Sequence, residues 1–153
     1  MQKEVIEMAV IVASGCLLGF DCRYKGDNCA NEKIPELAKK HTLLYICPEQ
    51  MGGLATPRDP AEQSGGRVVT KNGADVTEQY EKGARAALRL ALLNHADAAI
   101  LKSRSPSCGS GIVYDGTFTG TRVPGDGVCA RLFKENGIPV YTEDELDKLE
   151  LEL

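Results

Sequence analysis

Three times in this chain a short apolar run stops at a cysteine. The runs are Val10-Ile11-Val12-Ala13-Ser14-Gly15-Cys16, Leu43-Leu44-Tyr45-Ile46-Cys47, and Ala98-Ala99-Ile100-Leu101, the last followed by Lys102-Ser103-Arg104-Ser105-Pro106-Ser107-Cys108-Gly109. Short apolar runs bounded by turn signals read as buried strands. Helical patterns lie between them, which makes the strands parallel neighbours. Parallel strands place their carboxyl ends at one edge of the sheet, so three sulfurs can converge there.

In chain order, the first strand is expected over residues 9–14, followed by a loop from Cys16 to Asn31 with turns at Gly19, Gly26, Asp27 and Asn28. Asn31 is placed to cap a short helix through Leu37 and Lys40, with Pro35 near its first turn. The second strand, 43–47, meets Pro48, which pushes Cys47 towards an extended backbone; Gly52-Gly53 and Pro57 then predict a structured loop rather than a helix. Asn72-Gly73, between the β-prone pieces of residues 67–76, predicts a hairpin. Thr77 reads as the N-cap of a long helix to about Asn94, with Tyr80, Ala84, Leu88 and Ala91 on one stripe.

The third strand, 98–102, leads through the Ser-Pro-Ser-Cys-Gly turn into a glycine- and threonine-rich excursion from Gly111 to Gly127, with its turn at Tyr114-Asp115-Gly116. Asp126-Gly127 opens a helix to about Glu135 closed by Asn136-Gly137, Ile138 to Tyr141 forms a last short strand, and Glu143 to Leu153 an acidic amphipathic helix. Strands alternating with helices define an α/β fold with a mainly parallel sheet, one domain over residues 1–153.

A chain of 153 residues, 42% of them apolar, is long enough for one core. Its net charge of −4 advertises no basic face, which disfavours nucleic acid as a partner. Met1 to Met8 carries acids among its apolar residues and lacks the pattern of a signal peptide, and no run approaches the about 20 apolar residues of a membrane span. The expected location is the cytoplasm, where reducing conditions oppose permanent disulfides. Six cysteines with no Cys-x-x-Cys exclude zinc ribbons, thioredoxin-type motifs and the ligand runs of ferredoxins. Any metal site has to be assembled by the fold.

Three thiolates on three loops leave a four-coordinate site or a cubane cluster one ligand short, and an open position admits substrate. The two histidines, His41 and His95, sit before strands, at the opposite edge from Cys16, Cys47 and Cys108, and read as surface or capping residues. Cys129, in a helix between Val128 and Ala130, reads as a core residue. Cys22 and Cys29 share the loop after Cys16 and stand as loop packing or as accessory ligands or redox partners. Glu49 has two readings, a general base or the partner of an arginine such as Arg58. Ser105 and Ser107 either orient a substrate or bond their own turn. Tyr24, Asp75 and Asp115 are candidate pocket residues with structural alternatives.

At these residues the chain resembles the thiouracil desulfidases. The resemblance rests on Cys16-Leu17-Leu18-Gly19 with Arg23-Tyr24, on Cys47-Pro48-Glu49 with Gly52-Gly53-Leu54 and Pro57-Arg58, on Gly73-Ala74-Asp75-Val76-Thr77, and on Ser105-Pro106-Ser107-Cys108-Gly109. It implies a Rossmann-like fold holding a [4Fe-4S] cluster through Cys16, Cys47 and Cys108, with one iron not bound by protein. It further implies catalytic roles for Glu49 and Ser105 in removing sulfur, without net redox change, from a small thiolated pyrimidine such as a base or nucleoside, releasing sulfide. Lys25 and Cys129 depart from the pattern, so substrate contacts are expected to differ. A non-catalytic carrier of metal or sulfur, or a redox sensor, is the rival reading. Glu49 discriminates, because hydrolytic desulfuration needs a base and a carrier does not. A thiol hydrolase using Cys108 lacks its histidine.

Overall fold

The computed structural model describes residues 8–153. Residues 1–7, most of the stretch considered above for a signal peptide, lie outside the described residues. In chain order the elements are β1 (Val10–Ser14), a 3-10 turn (Gly15–Leu18), α1 (Lys33–Glu36) continued by a 3-10 turn (Leu37–Lys39), β2 (Thr42–Ile46), α2 (Pro48–Met51), β3 (Ala61–Ser64), β4 (Arg67–Thr70) and α3 (Thr77–Leu93). They continue as β5 (Ala98–Ile100), β6 (Ile112–Tyr114), β7 (Arg122–Pro124), α4 (Val128–Glu135), β8 (Val140–Tyr141) and α5 (Leu146–Glu152).

The central sheet has the order β2-β1-β5-β8 with every neighbouring pair parallel. Its two central strands, β1 and β5, are buried almost throughout, which is why they read as unbroken apolar runs. Successive side chains still divide between the two faces. Val12 and Ala99 join the core under α3 and α4, while Ile11, Ala13, Ala98 and Ile100 join the core formed with α1, α5 and Leu17. The result is a mainly parallel sheet flanked by helices on both sides. No helix among the described residues is long and apolar enough to cross a membrane.

Several expectations are corrected. The hairpin strand β4 pairs with Ala61–Ser64, not across Asn72-Gly73. Gly65 and Gly66, with φ of 58° and 81°, supply the left-handed pair a tight hairpin turn requires, and β3 carries no β-branched residue to announce itself. Asn72-Gly73 does turn the chain, but only far enough for one bridge between Val69 and Asp75. Thr77 is the first helical residue rather than the cap: its hydroxyl accepts the Val68 N–H at 2.9 Å, and Asp75 accepts the Thr77 N–H at 2.9 Å. Asn31 accepts the Lys33 N–H at 3.0 Å, but the helix it precedes is one turn of α-helix that tightens into 3-10 geometry. Cys47 is extended, as the following proline requires, but it lies past β2 and opens a one-turn helix with Pro48 at its first position. The third strand ends at Ile100, two residues earlier than expected.

That short helix is held by a close backbone approach. A Cβ on Gly83 of α3 would lie 1.7 Å from the Pro48 carbonyl oxygen, and one on Gly52 would lie 1.9 Å from the Gln79 carbonyl oxygen. Gly83→Ala therefore has to separate α2 from α3. It is expected to destabilise the fold by about 2–3 kcal/mol, read as a lower urea midpoint, because nothing near Gly83 is a flexible side-chain end that can yield.

Candidate functional site

From β1 the chain crosses to β2 on one side and later to β5 on the other, so the strand order reverses between β1 and β5. Ligands of open α/β sheets bind in the crevice at such a point, beyond the carboxyl ends of the strands. A cavity of about 510 Å³ lies there, with Cys47, Glu49, Ser105 and Cys108 in its wall. Cys22, Cys29, Arg58 and Tyr80 line it as well.

Cys108 is fixed from several directions. The Ser14 hydroxyl, at the end of β1, donates to its sulfur at 3.3 Å while accepting the Lys102 N–H at 3.0 Å. The turn that carries it is clasped by α4, whose Val128 and Cys129 N–H groups donate to the Pro106 and Ser107 carbonyls at 2.9 and 2.8 Å. Gln63 of β3 ties the same turn down by donating to the carbonyls of Pro106 and Asp126 at 3.1 and 2.9 Å. A Cβ on Gly127 would meet the Ser107 carbonyl at 2.4 Å, so only glycine lets α4 come this near. Burial pushes the Cys108 thiol up to about 12, against the Ser14 and Ser107 hydroxyls, which favour the thiolate.

The other sulfurs form a chain. Cys22 lies between Cys16 and Cys47, and its thiol is pushed up first by its hydrogen bond with Cys16, with burial adding to the shift. Cys47 is raised by its hydrogen bond with Cys22 and then by burial, and its sulfur also donates to the Cys22 carbonyl at 3.8 Å. Cys47 and Cys108 meet in one cavity as the strand-end placement predicts; Cys16 is buried against Cys22 and does not line it. Cys29 accepts a hydrogen bond from Arg23 at 3.1 Å. Cys129 is fully buried in the α3–α4 core, as expected. His41 accepts the Ala9 N–H at 3.0 Å and His95 follows α3, both at the far edge of the sheet.

Glu49 does pair with Arg58, Oε1 to Nε at 2.9 Å, with side chains only 16% and 10% exposed. It also lines the cavity, so the ion pair and a role at the site are not exclusive. Arg58 spreads its remaining donors over the Ala55 and Cys22 carbonyls and the Thr56 hydroxyl. Glu49 is thus held beside the thiols with one oxygen directed by the Nε–H of Arg58. Tyr80, buried by α3, has its phenol held well above the ordinary range by burial and then by the neighbouring Glu49 charge.

Ser105 Oγ accepts the N–H groups of Ser107 and Cys108 at 3.1 and 3.0 Å. A hydroxyl has two acceptor positions and one donor. With both acceptor positions engaged by its own turn, what Ser105 still offers the cavity is a proton. The two readings of this serine are therefore one arrangement. Tyr24 reaches the cavity, whereas Asp75 and Asp115 cap their own turns. Glu62, Arg104 and Phe118 also line the cavity and carried no motif in the sequence. Their signal is conformational: Arg104 and Phe118 have φ of 62° and 58°, rare for side chains of that size.

Among the described residues, no three His, Cys, Asp or Glu side chains are grouped closely enough to wrap one metal ion. Cys22, Cys29, Cys47 and Cys108 line the cavity and Cys16 is in contact with Cys22, so several sulfurs are available to a body larger than one ion. The donor set is soft, and the Ser14 hydroxyl donates to Cys108 Sγ in the way that tunes thiolate ligands. The buried Ser107 hydroxyl, one residue from Cys108, has no hydrogen-bond partner among the described residues, an orphaned donor of the kind a bound group would satisfy. On these observations the residues fit an iron–sulfur cluster.

The profile of the 2-thiouracil desulfurase family matches residues 11–145, and the chain belongs to this family of enzymes. It is 45% identical over 150 residues to the uncharacterized protein YbbK of Bacillus subtilis (strain 168), covering 92% of this chain and 99% of that one. Among solved structures it superposes on the [4Fe-4S]-dependent thiouracil desulfidase TudS with a TM-score of 0.89 at 42% identity, over 95% of this chain and 97% of the other. The resemblance drawn from the motifs is thereby borne out at the level of family, enzyme class and fold.

Arg58 is the keystone of the carboxylate side of the cavity. Arg58→Ala leaves Glu49 as an unpaired, largely buried charge, and a loss of about 3 kcal/mol is expected in urea unfolding. Arg58→Lys keeps the charge but not the fork, so it should recover only part of that loss.

Proposed function

We propose that this protein removes sulfur from a small thiolated pyrimidine, base or nucleoside, in a [4Fe-4S]-dependent reaction without net redox change, and releases sulfide. The observation that carries the reading is that a carboxylate and an unengaged O–H donor, Glu49 and Ser105, share one cavity with Cys47 and Cys108. Cys16, Cys47 and Cys108 would hold the cluster, leaving one iron without a protein ligand. Family membership supports this. Any nucleic-acid role is disfavoured by the acidic balance, and one catalytic domain accounts for every residue the chemistry needs.

When bound, the cluster supplies a Lewis-acidic iron for the thiocarbonyl sulfur, making the attached carbon electrophilic. Glu49 takes a proton from the water that adds to that carbon, and Arg58 holds the carboxylate in place. Ser105 donates its O–H to the charge developing on the ring, its oxygen polarised by the two backbone N–H groups it accepts.

The test is anaerobic reconstitution with iron and sulfide, followed by assay of sulfide release from 2- and 4-thiouracil. Glu49→Gln is expected to keep the cluster absorbance and slow release roughly 100-fold or more. Ser105→Ala should do likewise, by about 100-fold. Cys16→Ser, Cys47→Ser and Cys108→Ser should each lose iron, while Cys22→Ser retains it. A stable cluster with no sulfide release from either base would favour a carrier, and release undiminished in Glu49→Gln would remove the proposed base.

A further inference from the structure

The cavity has a wall for which this chemistry provides no task. Phe118 sits in the loop between β6 and β7 and lines the cavity, with the left-handed φ of 58°. A bulky residue keeps that conformation only where its surroundings over-determine it. Here they do. Glu62 of β3 reaches the loop, and its Oε1 accepts the N–H groups of Gly116 and Phe118 at 2.9 and 3.1 Å. Asp115 accepts the N–H of Thr117 at 2.9 Å. Gly116 packs so tightly on β3 that a Cβ there would lie 2.5 Å from the Gln63 carbonyl oxygen. The same Gln63 anchors the Cys108 turn, so the aromatic and the thiol are built on one support.

Four aromatic side chains line the cavity, and three have other work. Tyr24 carries the Arg23 and Lys25 cations at 5.5 and 5.8 Å from its ring centroid. Tyr80 is almost wholly buried against Glu49, and Tyr114 is a strand residue paired with Arg122. Phe118 has no polar atom to satisfy and remains half-buried on the wall. Glu62, for its part, spends Oε1 on the two backbone donors of the loop.

We propose that Phe118 is the platform on which the substrate's pyrimidine ring stacks, and that Glu62 is the positioning residue that holds it there. The inference rests on the reading above that the substrate is a flat heterocycle. Stacking reads the ring face and not the sulfur, so it acts alike on the thiolated substrate, its transition state and the oxygen-containing product. Such uniform binding appears in KM and not in kcat.

The experiment measures the Kd of uracil by calorimetry on the reconstituted protein, beside KM and kcat for 2-thiouracil. Phe118→Ala is expected to raise both Kd and KM roughly 10-fold with kcat little changed, and Phe118→Tyr to restore them. Phe118→Leu keeps an apolar side chain without a π face and should behave like alanine, which guards against a simple packing defect. Glu62→Ala should weaken uracil binding in the same direction, and Glu62→Gln, whose amide oxygen still accepts, should recover part. Unchanged Kd and KM in the alanine and leucine variants would overturn the platform, as would a fall in kcat at constant Kd. Uracil binding that depends on Phe118 without any sulfide release would sustain the platform and sink the desulfidase reading; sulfide release with a KM indifferent to Phe118 would do the reverse.

Discussion

A parallel sheet has two unlike edges, and only the carboxyl edge gathers the loops that follow its strands. In this protein β2 and β5 flank β1, so the loops bearing Cys16, Cys47 and Cys108 all leave from that edge. The hydrogen bond from Ser14, the last residue of β1, to the sulfur of Cys108 crosses the gap between two of them directly. Everything else at the site is support for that convergence. Gly52 and Gly83 bring α2 against α3 so that Cys47 and Glu49 face inward, and Gly127 lets the first turn of α4 grip the Cys108 turn from below.

Electrostatics then distinguishes the parts. The buried thiols are pushed towards their neutral forms by desolvation and by one another, so holding them as thiolates requires a compensating cation. In the proposed holoprotein iron would supply such a charge, which would couple cluster binding to the ionisation of its ligands. Glu49 is treated differently, since its charge is matched within the fold by Arg58. A carboxylate paired with an arginine beside buried thiols that have no such partner is the asymmetry the proposed hydrolytic desulfuration needs and a storage site does not.

Much of this was legible in the sequence because buried parallel strands announce themselves as continuous apolar runs, and each of these runs leads to its cysteine. The helix from Thr77 and the proline after Cys47 were equally readable, since both act through local backbone preferences. What escaped was tertiary. The strand Ala61–Ser64 has no β-branched residue and exists because β4 pairs with it, so Asn72-Gly73 drew the hairpin to the wrong place. Cys22 lines the cavity and Cys16 does not, which strand-end placement alone has no means to foresee. Glu62 and Phe118 lie far apart in sequence and come together only when the β6–β7 loop folds onto β3.

The central claim is that cysteines from separate strand ends hold one cluster whose remaining iron is open to the substrate's sulfur. Mössbauer spectroscopy of the protein reconstituted with isotopically enriched iron tests it most directly. The account predicts a cluster with one iron distinct from the rest, whose signal alone shifts when 2-thiouracil is added. A cluster whose irons are all equivalent, or whose spectrum is indifferent to the thiolated base, would contradict it.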